Sequence, residues 1–378
     1  MLLKDVVGQW HAKESFLRMW EHNHLPHALL LAGREGSGGL PLALAFAQFL
    51  FCSEKSGRDA CGKCAGCTKS ARLEHADLHL TFPAISPKPG TKALSKLFIQ
   101  EFREFVAQTP YSSVFDWLQF IDAENKQGNI PAEECREIID NLNLKSYEGG
   151  KKVQIIWMAE YLGKEGNILL KLIEEPPADT VLILVAENTE EVLPTILSRT
   201  QIIRLAPLSA ADIAQGLADR SLADPRKAAQ VAHLADGSFS EALRLLQHAQ
   251  NDMFPEVKRW FNAVFTGNGP ELVKFADEIS KTGREQQKNL LQFVIQLLEQ
   301  TIRHRYLPEV AIPLPEEEAA FVRKLAAQKI GFEAISGMIG QLSASIYHIE
   351  RNVHGKTELL ALSIRMQYLA QGRPVPEV

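Results

Sequence analysis

Along the first two hundred positions, short runs of apolar residues alternate with longer stretches whose apolar positions recur every three or four residues. The runs are "HALLLAG" (His27 to Gly33), "KKVQIIWM" (Lys151 to Met158), "TVLILVAE" (Thr180 to Glu187) and "QIIRLAPL" (Gln201 to Leu208). A strand covered on both faces of a parallel sheet reads this way, because neither face needs polar residues. Between them lie helical patterns: "AKESFLRMWEHN", with Phe16, Leu17 and Trp20 on one face, "LPLALAFAQFLF" and "PAEECREIIDNLNLKSY". "GNILLKLIEEPP" reads as a helix that Pro176 and Pro177 stop, since proline cannot continue it. Strands alternating with helices predict an α/β domain with a parallel sheet over residues 1–207.

Two features interrupt or follow that domain. From about 84 to 128 the alternation is lost: "PAISPKPGTKA" is a loop, while "LSKLFIQEFREFVAQ" and "SVFDWLQFI" carry apolar residues at helical spacing. This reads as an insertion with one or two helices of its own. After Pro207 the strand signal ends. "SAADIAQGLADR", "PRKAAQVAHLA" and "SFSEALRLLQHAQ" predict a small helical domain over 208–250. Longer patterns, chiefly "EQQKNLLQFVIQLLEQTIRHRYL" and "KTELLALSIRMQYLA", predict a larger all-helical domain over 251–378.

Composition narrows the function classes. Hydrophobic residues make up 46% and charged residues 23% of 378, ample for a packed core. A net charge of −5 supplies no global basic field for nucleic acid, so any such contact is local or shared with a partner. Charge breaks the opening "MLLKDVVGQWHAKESF" at once, unlike a signal peptide, and no run is long and apolar enough for a membrane helix. The expected location is the cytoplasm.

The turn after the first strand is rich in glycine: Gly33, Gly36, Gly38 and Gly39. A phosphate-binding P-loop occupies such a turn, with backbone amides cradling phosphate, a lysine neutralising charge and a hydroxyl holding magnesium. Here the lysine position is Gly39, the hydroxyl position is Leu40, and Pro41 follows. Taken alone, this segment fits a degenerate P-loop and a turn that never bound phosphate equally well. The second strand decides between them. An ATPase of this kind places an Asp-Glu pair after such a strand, for magnesium and for water activation. Trp157 and Met158 stand there. The frame of an ATPase is expected without its hydrolytic groups, and ATP binding is not expected.

Four of the five cysteines, Cys52, Cys61, Cys64 and Cys67, follow a Cys-x8-Cys-x2-Cys-x2-Cys spacing. Two-residue spacers let neighbouring thiolates turn onto one tetrahedral ion, so the expected cofactor is a structural Zn²⁺. A redox pair or buried free thiols are the competing readings, and His75 is a substitute ligand if Cys52 points elsewhere. Cys135, alone in a helical pattern, reads as core.

Taken in order, these segments resemble the AAA+ clamp-loader family of bacterial DNA polymerase III. "VVGQ" (Val6 to Gln9), "HALLLAGREGSGG" (His27 to Gly39), the four-cysteine module, "HADLH" (His75 to His79), "GNILLKLIEEPP" (Gly166 to Pro177), "LPTILSRTQ" (Leu193 to Gln201) and "ERNVHGKTELL" (Glu350 to Leu360) all resemble family motifs. Nearly the whole chain is covered except the insertion. The resemblance implies an AAA+ sheet domain with a zinc module, a helical lid and a helical collar used for oligomerisation. It implies gamma/tau motor subunits and delta as partners, with the sliding clamp and primed DNA met through the complex, and no membrane. It also implies that Arg199, which local sequence would make an ordinary helix-end arginine, faces the nucleotide of an adjacent subunit as a finger acting in trans.

The departures point to a non-hydrolysing, stator-like member. Besides Gly39, Leu40, Trp157 and Met158, the polar residue expected after the third strand is Ala186, and the arginine expected in "GSFSEAL" is Ser240. Thr200 replaces a cysteine beside an intact Arg199. No activity of its own is then expected, only a part in a DNA-directed DNA polymerase holoenzyme. The alternatives are an active motor subunit, which the missing groups oppose, and a zinc-knuckle nucleic-acid-binding protein. For the latter, only Lys63, Lys69 and Arg72 lie near the cysteines.

Overall fold

The computed structural model describes residues 1–88, 90–123, 126–248, 253–309, 314–328, 330–351 and 353–373. They form two compact units, Met1–Leu243 and Arg244–Val378. The expected limit between lid and collar, at 250/251, lies outside the described residues.

The first unit is built on a parallel sheet of five strands. In chain order its elements are α1 (Trp10–Glu21), β1 (Ala28–Ala32), α2 (Gly39–Phe51), α3 (Ala65–Ala71), β2 (Leu78–Thr81), α4 (Ile99–Gln108), α5 (Val114–Phe120), α6 (Ala132–Asn143), β3 (Lys152–Trp157), α7 (Leu170–Glu174), β4 (Thr180–Ala186), α8 (Pro194–Leu197), β5 (Gln201–Arg204), α9 (Ala210–Asp219) and α10 (Pro225–Leu234). The strand order is β2-β3-β4-β1-β5, and every pairing is parallel. The three central strands are buried throughout, as their unbroken apolar runs require. Successive residues serve opposite faces. Leu29, Leu31, Val153, Ile155, Val181 and Ile183 join one core with α1, α2 and the inserted helices. Leu30, Ile156, Leu182 and Leu184 join another with α6, α7 and α8.

Four strands were expected and five are present. The additional one, β2, is a four-residue edge strand in which His79 and Leu80 are only half-buried. The expected helix at "GNILLKLIEEPP" is also modified. A 3-10 stretch over Ala159–Leu169 bends at Gly163 (φ 46°, ψ −142°) and continues as α7, which ends before the two prolines.

The insertion, expected to hold one or two helices, holds α4 and α5, and its ends meet in an antiparallel bridge between Ala84 and Asn129. It packs onto the sheet through an aromatic cluster. Phe82 stacks on Phe102 at 3.8 Å, Trp117 meets both edge-on at 5.2 Å, and Phe102 lies 5.7 Å from Trp157 at the end of β3. The buried Trp117 indole N–H donates to the Pro83 carbonyl at 2.8 Å. Such ring pairs add about 0.5–1.5 kcal/mol each beyond their burial.

Helix α11 (Phe239–His248) spans the limit between the units. The second unit is helical: α12 (Phe254–Thr266), α13 (Gly269–Ser280), α14 (Arg284–Tyr306), α15 (Glu316–Ala326), α16 (Phe332–Glu350) and α17 (Gly355–Ala370). At its centre Trp260 stacks on Phe275 at 4.9 Å, and its indole N–H donates to the Ser363 hydroxyl at 2.8 Å. Among the described residues no helix is long and apolar enough to cross a membrane.

Candidate functional site

The glycine-rich turn joins β1 to α2, with Gly36 (φ 73°) and Gly38 (φ 94°) in the left-handed region that glycine enters freely. Gly33 closes β1, its N–H donating to the Ala186 carbonyl at 3.1 Å. Gln9, buried, fastens the turn from behind: its side-chain amide donates to the carbonyls of Ser37 (2.9 Å) and Ala206 (2.7 Å). The "VVGQ" segment therefore braces the loop.

At the positions where a P-loop carries its lysine and hydroxyl, the chain has Gly39 and Leu40, and both are closely packed. A Cβ on Gly39 would stand 2.7 Å from Val185 Cγ1, so the core has closed over the position where a lysine stem would leave the helix. Leu40 is buried in the apolar core, and Pro41 brings no N–H to the first turn of α2. Trp157 and Met158, each 3% exposed, belong to the same core. Ala186 offers no polar side chain. Phe239 and Ser240 approach from the other side: the Phe239 N–H donates to the Gly36 carbonyl at 3.0 Å, and the Ser240 hydroxyl donates to Glu35 at 3.2 Å. A carboxylate in that position repels phosphate. Arg34 also lines this pocket, but it is 71% exposed and lies 4.0 Å from Asp236.

The four cysteines converge. Every sulfur lies within 4.8 Å of the others, with Cys61–Cys67 at 3.9 Å and Cys52–Cys64 at 4.0 Å. Metal–sulfur bonds of about 2.3 Å in a tetrahedron place sulfurs about 3.8 Å apart, so the set fits one ion. N–H donation from Lys63 and Cys64 holds the Cys61 thiol below its ordinary value. Burial opposes ionisation at Cys64, yet the Cys67 N–H and both donors of Ser53 outweigh it and bring the thiol to about 5. Burial pushes Cys52 up, and Cys67 up to about 12. A bound cation is what would let all four ionise together. His75 is not among the ligands. It is buried, stacks on Phe51 at 3.8 Å, and its Nδ1 accepts the Asp77 N–H at 3.2 Å. Cys135 is buried in the core, as expected.

The cysteine module holds other parts of the fold in place. Asp59, between Cys52 and Cys61, accepts the N–H groups of Leu3 and Lys4 on its two carboxylate oxygens, both at 3.0 Å, and Leu2 packs on the cluster. From α3, Lys69 pairs with Glu148 at 2.9 Å in the loop before β3.

Arg199 occupies the turn between α8 and β5, 36% exposed. Its Nε donates to the Glu174 carboxylate, and its Nη1 to the Thr195 carbonyl (3.0 Å) and the Ser198 hydroxyl (3.1 Å). The Thr200 hydroxyl turns inward to the Ile196 carbonyl at 3.1 Å.

Two contributors were not foreseen from sequence. Asp59 carries no motif, and its partners are more than fifty positions away. Tyr111, inside the insertion, lines the glycine-rich pocket together with Pro110 and Ser112.

Comparison with known proteins fits this picture. The family model described as DNA polymerase III, delta subunit matches residues 8–209. The DNA polymerase III subunit delta' of Bacillus subtilis is 28% identical over 237 residues, covering 62% of this chain and 57% of the relative. The subunit delta' of Escherichia coli K12 is 28% identical over 184 residues, 48% of this chain and 42% of the relative. The subunit tau/gamma of Haemophilus influenzae is 27% identical over 252 residues, 65% and 30% respectively. The chain spans about half the length of the two delta' relatives and less of the third. With more than half of its residues matched by that family model, the chain belongs to the family of the DNA polymerase III delta subunit.

Proposed function

We propose that the chain is a non-hydrolysing, stator-like subunit of a bacterial clamp loader, which completes the nucleotide site of a neighbouring ATPase subunit. The assembly would include gamma/tau motor subunits and delta, and would load a sliding clamp onto primed DNA. Residues 1–207 would form the AAA+ domain, 208–250 its lid and 251–378 the collar. Cys52, Cys61, Cys64 and Cys67 would hold one structural Zn²⁺.

One contrast carries the reading. The chain's own P-loop lacks lysine, magnesium ligand and carboxylate pair, with side-chain packing in their places, while Arg199 remains at the surface on a short, braced turn. Placed against a neighbour's γ-phosphate, a guanidinium stabilises the charge that develops during transfer, worth on the order of 10³-fold or more in rate. Glu174 restrains the side chain beforehand, so less rotamer freedom is lost when phosphate arrives.

The test is a reconstituted complex carrying Arg199→Ala. Assembly should be unchanged, while DNA-stimulated ATP hydrolysis and clamp loading fall. Arg199→Lys should rescue poorly, because an ammonium cannot reproduce the planar fork. Unaltered hydrolysis and loading in the Arg199→Ala complex would remove the trans role.

A further inference from the structure

Tyr111 sits in the turn between α4 and α5 and is 3% exposed. Four parts of the first unit meet it. Its hydroxyl oxygen accepts the Val7 N–H at 2.8 Å, from the N-terminal segment. A Cβ on Gly38 of the glycine-rich turn would touch its ring at 3.1 Å. Its ring centroid lies 4.6 Å from that of Phe239, with the planes 53° apart. The Arg220 guanidinium, at the end of α9, lies 5.6 Å from the same ring and 5.2 Å from Phe239. With Pro110, Ser112 and Trp157 also lining the pocket, the cavity left is about 20 Å³. One water needs roughly 10–15 Å³, while small-molecule sites run to roughly 300–1,000 Å³.

We propose that the insertion is a built-in occupant of the nucleotide pocket, with Tyr111 standing in for a nucleobase. A phenol offers what a base offers there: a flat ring to pack between apolar and cationic groups, and a polar edge for a backbone N–H. The ring joins the N-terminal segment, the glycine-rich turn and Phe239 through its own contacts. The loss of the carboxylate pair belongs to the same device. Trp157, in place of an aspartate, gives the inserted Phe102 and Phe105 an apolar surface at 5.7 and 6.3 Å, which a carboxylate could not. The inference rests on reading the turn as a degenerate P-loop and deepens it. Absence of catalysis would leave room for a bound, inert nucleotide; a filled pocket does not.

The experiment titrates the full chain with mant-ADP and with Mg-ATP up to millimolar concentration, alongside hydrogen exchange of wild type, Tyr111→Phe and Tyr111→Ala. Wild type should show no saturable fluorescence change and no shift in Tm with either nucleotide. Tyr111→Ala should raise exchange at residues 7–8 and 237–241 by tenfold or more, and Tyr111→Phe mainly at Val7, whose acceptor it removes. If Tyr111→Ala does not fold, Tyr111→Phe and the wild-type titration still decide. Saturable binding to wild type without turnover would overturn the built-in occupant and leave the non-hydrolysing role standing; turnover would overturn both. Exchange in the Tyr111 variants at wild-type rates would also overturn it.

Discussion

The carboxylate of Asp59 accepts the backbone N–H of Leu3 at 3.0 Å and thereby ties the N-terminal segment to the cysteine module. Lys4 donates to the second oxygen at the same distance. Removing an ion held by the four cysteines should therefore loosen more than the module. Chelation is expected to speed hydrogen exchange across residues 2–8 as well as 52–67. Asp59→Ala, with the metal retained, should reproduce the effect at residues 2–8 alone and lower stability by about 1–3 kcal/mol. Protection at residues 2–8 that survives chelation would disconnect the two.

Introducing the lysine and aspartate of a P-loop ATPase at positions 39 and 157 is expected to damage the fold without creating ATP hydrolysis. Gly39→Lys brings a Cβ to 2.7 Å from Val185 Cγ1, an overpacking worth roughly 1–3 kcal/mol. Trp157→Asp empties a buried site beside Phe102 and Phe105 and leaves a carboxylate there, which should cost about 3–5 kcal/mol or more. Thermal melts and steady-state ATP hydrolysis of the isolated variants check both. A stable double variant that turns over ATP would show the pocket to be intact beneath its substitutions.

Asp77 gives a pH dependence with a definite sign. Burial opposes its ionisation, but the N–H groups of Glu148 and Tyr147 (2.9 and 2.7 Å) and the Ser146 hydroxyl (2.9 Å) outweigh burial, so its carboxyl lies below the ordinary 3.8. A lowered folded value means that the ionised group stabilises the fold above about 3.8, and that this is lost as pH falls through the folded value. Asp77→Ala should remove about 2–3 kcal/mol at neutral pH and flatten this acid limb. Urea melts from pH 7 to 3 measure it. An equally steep limb in the variant would assign the dependence elsewhere.

What could be read from sequence divides along a physical line. Strands β1, β3 and β4 were legible because unbroken apolar runs need no partner to be recognised, whereas β5, read in the same way, is the other edge strand, with Gln201 and Arg204 exposed. Edge strand β2 was not: Leu78 and Leu80 alternate with His79 and Thr81, but four residues are too short a run for that alternation to stand out. The cysteine cluster was legible because its ligands are close in sequence, whereas Asp59 works through contacts more than fifty positions away. Gly39 and Trp157 could be identified as departures, but the packing that fills the pocket could not be foreseen. Tyr111 meets Val7 across 104 positions, and nothing in "TPYSS" marks it.

The strand order also sets a timetable for the growing chain. β1 lies between β4 and β5, and both arrive about 150 residues later. At roughly 5–20 residues per second of synthesis, "ALLLA" and the apolar helix behind it wait some 7–30 s for their neighbours. During that interval the cysteine module and the segment it ties down are already made. On the ribosome, the cysteine module is therefore complete well before the sheet unit can close, and the apolar run beside it waits uncovered in the meantime.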